Sequence, residues 1–421
     1  MSNRLLRIGL AVAIAATSSH GLASGFAINE QSVSAMGTAF AGRSSAADDA
    51  TTVFGNPAGM ARLEREQVSG GFAAIVAKSD LDDVQSNIPG SNDGDMVPFV
   101  AAPMGYYVKP LDEQWRFGLG LYVPFGLVTD YERDFQGRGY ANLSEVKVIT
   151  LQPTLSYRFN EQWSVGFGPT FNHIEGQLTS TIPNPFAPST AAGQVKVRGD
   201  DLAMGFNAGV LFELNPATRF GLTYHSKVDY KLKGHTKVES DGLLAGSAGK
   251  YDASLELQTP ESVDFSITHA LDQRWILYAG STWTRWSRLQ DITVDNNGVA
   301  GPFAANLTTI TEEQGWHDTW AHAVGAAYQL NKQWLLRAGV AVDQSPTSNR
   351  HRSPRIPTGD RTIFSVGAGW SPNDDLTLDL AYSYLMEEDA KIDLDDPLKG
   401  SYRAIYRNSA HGLGAQVTYR Y

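Results

Sequence analysis

The chain of 421 residues lacks cysteine, carries little positive charge and has no long apolar run beyond its N-terminal segment. The absence of cysteine excludes disulfides, thiol nucleophiles and cysteine-bound zinc or iron–sulfur clusters. With 34 Lys and Arg against 45 Asp and Glu, the net charge is -11, which argues against nucleic acid as a partner, since that requires a basic face. No apolar stretch of about 18 residues follows the N-terminus, so a membrane-spanning helix is not expected.

The first 23 residues have the three parts of a secretory signal peptide. Arg4 and Arg7 precede an apolar run over residues 8–16, and small residues follow up to Ala23. This run is too short to cross about 30 Å of hydrocarbon as a helix. We therefore predict a signal peptide over residues 1–23. The exported chain is then either a soluble periplasmic or secreted protein or an outer-membrane barrel.

A short turn motif recurs six times along the chain. Each copy carries an Asn or Asp, whose side chain bonds to its own backbone and suits a tight connection. In four copies a Trp follows the turn, at the position where a membrane barrel has its aromatic girdle. The six copies lie at residues 109–115, 158–163, 213–219, 270–275, 329–334 and 370–376, and the four tryptophans are Trp115, Trp163, Trp275 and Trp334.

Alternating sequence flanks these turns, as in residues 202–212 and 376–384. One face is apolar and the other is rich in Gly, Ser, Thr and Asn, and a period of two indicates strands. Six turns on one side, with both chain ends on that side, predict 14 strands, an even number as in bacterial barrels. Long connections such as residues 176–199 and 234–250 are expected on the opposite side. A large soluble β-protein is the alternative.

Residues 24–64 break the alternation and are rich in Gly and Ala. Such a segment is either a periplasmic tail or a plug, and its low charge argues against a solvated tail. A 14-stranded barrel is wide enough to need a plug. The predicted fold is therefore all-β, with a hatch over residues 24–64 inside a 14-stranded antiparallel transmembrane β-barrel over residues 65–421.

Several segments along this chain match one known family. They are Ser24-Gly25-Phe26, residues 42–49, Asn56-Pro57-Ala58, residues 122–131, residues 337–346 and residues 355–361. Together they resemble the FadL family of outer-membrane long-chain fatty acid transporters, which also includes aromatic-hydrocarbon channels. The resemblance extends from the hatch to the last strand.

This resemblance implies passive transport of hydrophobic compounds, with long-chain fatty acids as the main substrate, in the outer membrane of a Gram-negative bacterium. Apolar outer loops would capture the substrate, the hatch would move, and the substrate would leave laterally into the membrane lipid through a kinked third strand. A lateral exit suits an acyl chain, because each CH₂ returned to apolar surroundings gains about 0.8 kcal/mol. No nucleotide or ion motif is present, so no cofactor and no metal are expected.

Pro124, Phe125 and Gly126 lie on the third strand, where the resemblance implies the lateral opening. Proline cannot donate to a strand ladder and glycine weakens it. We therefore expect a local gap in strand pairing there. An ordinary bend or an outer strand end is the alternative.

Two parts of the hatch are candidates for gating. Asn56, Pro57 and Ala58 form either a simple turn or a hinge, which the resemblance places against the barrel wall near Asp343. Phe26 is the hatch residue most suited to compete with an apolar ligand, although a single Phe is commonly a packing residue.

Basic residues of the lumen are candidates for contact with a carboxylate head group. The alternation of the strand places Arg337 and Asp343 inside, and a guanidinium can bind a carboxylate through two hydrogen bonds. Both residues fit a structural charge network equally well. His225 and Lys227 are expected to point inward from the seventh strand, either as a second head-group contact or as solvated charges.

Other functions have weaker support in the sequence. An aromatic-hydrocarbon channel of the same family remains open, whereas a lipid-modifying enzyme needs a nucleophile and a base at the rim, and no G-x-S-x-G motif occurs. We therefore expect no enzymatic activity. A general polar porin would lack the hatch. The acidic clusters at residues 80–83 and 393–396 are expected in outer loops, as solvated charges or contacts of divalent cations.

The C-terminal residues 413–421 alternate and end in Tyr421. Such an ending resembles the signal by which the barrel-assembly machinery recognises its substrates. Nothing in the sequence indicates the trimer interface of general porins, so a monomer is expected.

Overall fold

The structure, a computed structural model, describes residues 25–184, 186–240 and 242–421. The predicted signal peptide over residues 1–23 lies outside the described residues.

The described chain contains the following strands: β1 (Gln67–Ser86), β2 (Val100–Pro110), β3 (Trp115–Asp130), β4 (Leu143–Arg158), β5 (Trp163–Asn184), β6 (Ala187–Asn215), β7 (Thr218–His225), β8 (Val228–Glu239), β9 (Gly249–Thr259), β10 (Ser262–Ala270), β11 (Trp275–Thr284), β12 (Asp291–Asn297), β13 (Thr309–Glu313), β14 (Thr319–Gln329), β15 (Trp334–Asp343), β16 (Arg361–Trp370), β17 (Leu376–Glu387), β18 (Ala390–Asp396) and β19 (Gly400–Arg420).

Fourteen of the described strands close into one antiparallel barrel, which confirms the predicted fold class. β8, β9, β12, β13 and β18 are outside this ring. The ring closes where β1 pairs with β19, in a register that joins Gln67 to Arg420 and Ser69 to Thr418. The barrel begins at Gln67, where the strand pattern of the sequence also begins.

The six turns share one hydrogen-bonding pattern. In the turn between β2 and β3, the Asp112 carboxylate accepts the backbone N–H groups of Gln114 at 2.8 Å and Trp115 at 2.7 Å. The same two bonds recur at the side chains of Asn160, Asn215, Asp272, Asn331 and Asn373. The repeated motif therefore encodes one type of tight connection, used at every turn on this side of the barrel.

The four tryptophans after the turns form a partly exposed belt at this end of the barrel, each 39–43% exposed. Their rings lie against aromatic residues of the neighbouring strand. Trp163 stacks on Phe212 at 4.5 Å and Trp275 lies 4.7 Å from Tyr328, between ring centroids. Apolar residues such as Leu380 are exposed farther along the strands, as expected of a surface in lipid.

The opposite end of the barrel carries an extension made of strands rather than irregular loops. The expectation of long loops at residues 176–199 and 234–250 is wrong, because β5 and β6 continue to pair as far as Asn184 and Ala187. β8, β9, β12 and β13 widen this sheet. Apolar side chains pack together in the extension, among them Val195, Val238 and Leu307. Their burial stabilises the pairing of these outer strands.

Short helices complete the regular secondary structure of the described residues. They are α1 (Val33–Met36), α2 (Thr52–Gly55), α3 (Ala304–Thr308) and the 3-10 helices Pro57–Arg62, Ala245–Ser247 and Trp286–Arg288. No helix in the described ranges has the length and apolar character to span a membrane.

Candidate functional site

The hatch segment, described from Gly25 to Leu63, lies against the inward face of the barrel wall. Its backbone reaches the wall at glycines of the strands, where a side chain would collide with it. A Cβ on Gly221 would clash with the Ser44 carbonyl, and one on Gly280 would clash with the Ala41 carbonyl. Ser44 also donates to the Asp264 carboxylate at 2.5 Å. Close backbone contact therefore holds the hatch in place.

Asn56, Pro57 and Ala58 anchor the hatch against β5 and β6. The Asn56 amide donates to the Ser44 carbonyl at 2.7 Å and to the Val210 carbonyl at 3.0 Å, and its oxygen accepts the N–H of Ala58. Asn56 thereby caps the 3-10 helix that starts at Pro57. The expectation that this triplet faces Asp343 is wrong, because the hatch turns toward β5 and β6 here. The geometry supports a fixed anchor better than a hinge.

Asp343 lies at the outer end of β15, in a different charge cluster. Its carboxylate is buried 3.9 Å from the guanidinium of Arg361, which also bonds to Glu387 at 2.8 Å. These residues connect the ends of β15, β16 and β17. The cluster joins wall strands.

Arg337 points inward, as the alternation of β15 predicts, and is buried. Its guanidinium donates to the Asp379 carboxylate of β17 at 2.6 Å. Separation of a buried Arg from its bonded carboxylate partner costs several kcal/mol, because it leaves an uncompensated buried charge. The contact favours the structural charge network over a free head-group site.

His225 is the last residue of β7, and its ring lies 4.9 Å from the ring of Phe54 in the hatch. Lys227 does not continue inward beside it, so that expectation is wrong. β7 ends at His225 and β8 starts at Val228 with a new alternation, in which Val228 and Tyr230 are the buried residues. The Lys227 side chain is 38% exposed and bonds to Asp229 at 2.9 Å.

The third strand has a gap in its pairing at Pro124 and Gly126. In the described structure, the ladder between β2 and β3 ends at the pair of Gly105 and Leu121. On its other side β3 pairs with β4 as far as Asp130, with one irregularity between Tyr122 and Phe125. β3 therefore presents an edge toward β2 in the outer half of the wall.

The first described hatch residues pair with this edge. The Ile28 N–H donates to the Pro124 carbonyl and the Gly126 N–H donates to the Phe26 carbonyl, both at 2.8 Å. Gln31 adds a side-chain bond to the Val123 carbonyl at 2.7 Å. Residues 26–28, here called the hatch strand, thus complete the backbone bonds that the wall leaves unmade. Ile28 also packs between Ala102 and Val123.

Phe26 is enclosed by aromatic rings. Its ring centroid lies 5.0 Å from that of Trp286, 5.7 Å from Phe125 and 6.0 Å from Trp316. Gly25 before it has a φ of +61°, and a Cβ there would lie within 3 Å of both tryptophans. Glycine is therefore required for the chain to enter this cluster.

Two apolar cavities lead outward from the hatch strand. The inner cavity, of about 830 Å³, is lined by apolar side chains that include Phe26, Leu127, Ile174 and Ile356. The outer cavity, of about 1060 Å³, lies among the connections of the outer extension, beside Leu243, Phe303, Leu307 and Leu398. Their largely apolar linings suit a hydrophobic ligand.

Arg355 lies at the boundary and lines both cavities. It donates to Glu312 at 2.7 Å and to the hydroxyl groups of Ser144 and Ser180 at 3.0 and 2.7 Å. Lys399 donates to the same Glu312 carboxylate at 3.2 Å. Burial raises the pKa of Glu312, but the charges of Arg355 and Lys399 outweigh it and the pKa falls to about 2.

Sequence reasoning found the segment that contains Arg355 only as a resemblance and assigned it no role. The residue lies in the connection between β15 and β16, where no alternation shows which way a side chain points. The sequence nevertheless contained a signal for a functional role of Arg355. Pro354 and Ile356 flank it, so a charged residue lies among apolar neighbours in a connection.

Comparisons with known proteins agree with this geometry. A family model described as outer membrane protein transport protein (OMPP1/FadL/TodX) matches residues 14–421. The long-chain fatty acid transport protein of Escherichia coli O6:H1 is 28% identical over 425 residues, which cover 93% of this chain and 94% of that protein. The crystal structure of a Pseudomonas aeruginosa FadL homologue matches with a TM-score of 0.82 and 26% identity, over 94% of this chain and 99% of that chain.

The toluene transporter TbuX of Ralstonia pickettii shares the fold, with a TM-score of 0.67 and 16% identity over 90% of this chain and 95% of that chain. The family match covers nearly the whole chain, and the barrel architecture agrees with it. The chain therefore belongs to the outer membrane protein transport family (OMPP1/FadL/TodX), and its location is the outer membrane of a Gram-negative bacterium.

Proposed function

We propose that this protein transports hydrophobic compounds passively across the outer membrane and that long-chain fatty acids are its main substrate. The observation that carries the proposal is the arrangement of two apolar cavities that share Arg355, the inner of which reaches Phe26 of the hatch strand. An apolar lining favours an acyl chain, and a buried Arg at the shared boundary favours a carboxylate. The fatty acid transport relatives support the same substrate.

The route has three steps. A substrate first enters the outer cavity among the loops of the extension and then passes Arg355 into the inner cavity. There its tail competes with Phe26 for the aromatic cluster. Displacement of Phe26 withdraws the hatch strand from β3 and opens the gap between β2 and β3, so that the substrate leaves sideways into membrane lipid.

One part of the hatch is fixed to the wall and another part moves. Asn56, Pro57 and Ala58 stay fixed on β5 and β6, while residues 26–28 move. Two main-chain bonds and the buried side chains of Phe26 and Ile28 hold the hatch strand, whereas the rest of the hatch contacts several wall strands. The hatch strand is the part whose withdrawal uncovers the gap between β2 and β3.

A channel for aromatic hydrocarbons is the second candidate. The ring cluster around Phe26 favours it, since four aromatic side chains form one wall of the route. The relation of the chain to a family of transport proteins supports transport over lipid modification. We also keep as proposals that the protein is a monomer and that its C-terminal strand, which the exposed Tyr421 follows, is recognised by the barrel-assembly machinery.

Uptake by cells that lack their own fatty acid transporter tests the proposal. Cells expressing this protein should take up labelled oleate faster than cells with an empty vector, and unlabelled oleate should compete better than toluene. A small polar sugar should enter equally in both. Uptake of oleate at the empty-vector rate would contradict the fatty acid assignment, and stronger competition by toluene would favour the hydrocarbon channel.

A further inference from the structure

We propose that Glu312 is an internal ligand of the cation pair Arg355 and Lys399, which the carboxylate of an incoming fatty acid displaces. This inference rests on the proposed function. It adds a device that separates acids from neutral hydrocarbons at the boundary between the two cavities.

Glu312, Arg355 and Lys399 all line the outer cavity, and Arg355 also lines the inner one. Around them the outer cavity is mostly apolar, with Ile310, Leu307 and Leu398 among its lining residues. A molecule that moves from the outer to the inner cavity therefore passes the guanidinium of Arg355. A fatty acid held with its tail in either cavity can place its carboxylate there.

The contacts of Glu312 have the geometry of a bound carboxylate. Arg355 Nε donates to Oε2 at 2.7 Å, and Arg355 Nη2 donates to Oε1 at 3.2 Å. Lys399 Nζ donates to Oε1 at 3.2 Å. Two parallel bonds from a guanidinium and one from an ammonium are what a free carboxylate would also receive. Glu312 and a fatty acid head group are therefore alternatives for one site.

Ser144 and Ser180 support the cation when Glu312 leaves. Their hydroxyl oxygens accept from Nη1 at 3.0 Å and from Nη2 at 2.7 Å of Arg355. These residues belong to the wall strands β4 and β5, so they hold the Arg355 guanidinium against the wall when its bonds to Glu312 are lost. The guanidinium of the site is thus bonded to the barrel wall, and the internal ligand comes from the extension.

Charge makes the exchange selective. Arg355 is buried, and removal of its carboxylate without replacement would leave an uncompensated buried charge. A fatty acid replaces one carboxylate with another, whereas a neutral hydrocarbon cannot. Since the pKa of Glu312 is about 2, this residue stays ionised near neutral pH and the competition is between two anions.

Displacement of Glu312 by a ligand also affects three outer segments of the chain. Glu312 belongs to the five-residue strand β13, Arg355 to the connection between β15 and β16, and Lys399 to the turn between β18 and β19. The ion pairs join these three segments. A fatty acid that takes the place of Glu312 releases β13 from the other two.

The variant Glu312→Gln tests the inference, with Glu313→Gln as its matched control. Glu313 is the next residue on β13, its side chain is 77% exposed, and its carboxylate faces His351 instead of Arg355. Binding of oleate and of methyl oleate to the purified full-length barrel is measured for both variants and the unchanged protein. Folding of each is checked by the heat-dependent migration of the barrel on gels.

We expect Glu312→Gln to bind oleate about tenfold more tightly and methyl oleate equally, because only the acid competes with Glu312. Glu313→Gln should match the unchanged protein for both ligands. Equal or weaker oleate binding by Glu312→Gln would overturn the internal ligand and leave the transport proposal standing. Failure of every form to bind either ligand would overturn both.

A second measurement uses the unchanged protein and does not depend on a variant that folds. Oleate should accelerate amide hydrogen exchange in residues 309–313, since it releases β13, and methyl oleate should not. Equal exchange with the two ligands would contradict the displacement of Glu312.

Discussion

Glycines on the inward face of the wall determine how closely the hatch approaches it. At Gly221 the Ser44 carbonyl occupies the space that a Cβ would need, so the wall and the hatch cannot both keep their positions if a side chain is added. In lipid-facing or solvent-facing positions the same residue type has no such role. Single glycines of the wall therefore allow the hatch backbone to pack directly on the wall backbone.

The first prediction concerns Gly221→Ala. The added methyl group should displace the hatch and cost roughly 1–3 kcal/mol of its docking free energy, as overpacking in a filled interior does. Protease cleavage within residues 25–63 should increase while the barrel stays folded. The matched control is Gly105→Ala on β2, where a Cβ meets no atom within 4 Å. Equal cleavage of the two variants would contradict tight docking at Gly221.

The direction of a side chain could be predicted wherever a strand is regular. Arg337 points inward because period two fixes the faces of β15. The same reasoning failed at Lys227, since β7 ends at His225 and the next strand starts a new alternation. Arg355 and Glu312 could not be paired from sequence, because 43 residues separate them and neither the connection nor the short strand β13 has a usable period.

At the scale of elements, six turns of one type determine the architecture. Each Asn or Asp side chain bonds to two backbone N–H groups, so one local interaction repeated six times places the tight connections at one end. The number of barrel strands follows from these turns, and the structure confirms it. The outer extension could not be predicted in the same way, because its strands pair through contacts between distant segments such as β9 and β12.

The second prediction concerns Asn331→Ala in the turn between β14 and β15. Loss of two bonds to the N–H groups of Gln333 and Trp334 should lower the free energy of unfolding by about 1 kcal/mol. Lys332→Ala changes an exposed neighbour and serves as control. Urea unfolding of the folded barrel in detergent measures both. A larger loss in the Lys332 variant would contradict the role of the Asn side chain.

The third prediction concerns acid. The pKa of Glu312 in the folded protein, about 2, is below its ordinary value of 4.5. A carboxylate of this kind stabilises the fold above pH 4.5, and its contribution is lost as the pH falls toward 2. Cleavage by pepsin at residues 309–313 should therefore increase between pH 4.5 and pH 2. Cleavage of the Glu312→Gln variant should not depend on pH in this way. If cleavage of the original protein stayed constant between pH 4.5 and pH 2, the stabilising role of the ion pairs of Glu312 would be contradicted.

At the scale of the whole molecule, the proposed route follows the two apolar cavities to the gap in the wall. The apolar cavities begin in the outer extension and end at the aromatic cluster, and the gap in the wall lies beside that cluster. A water-filled pore would give an acyl chain no gain, whereas a sideways exit returns it to apolar surroundings at about 0.8 kcal/mol per CH₂. The position of the gap therefore suits a hydrophobic substrate.

In the proposed route, the hatch strand must leave β3 before substrate passes. Ala27 and Phe125 are paired across these two segments, in the narrow type of antiparallel pair whose Cα atoms lie about 4.5 Å apart. That distance suits a disulfide, and the chain has no cysteine of its own to interfere. The double variant Ala27→Cys, Phe125→Cys thus locks the hatch strand when oxidised and frees it when reduced.

Oleate uptake by cells carrying this double variant is the most direct measurement. A pair within the wall, Ser365→Cys with Ser383→Cys, joins β16 to β17 without the hatch and is the control. We expect oxidation of the double variant Ala27→Cys, Phe125→Cys to stop oleate uptake and reduction to restore it. The wall pair should transport in both states. Uptake at the full rate through the oxidised hatch lock would contradict the account.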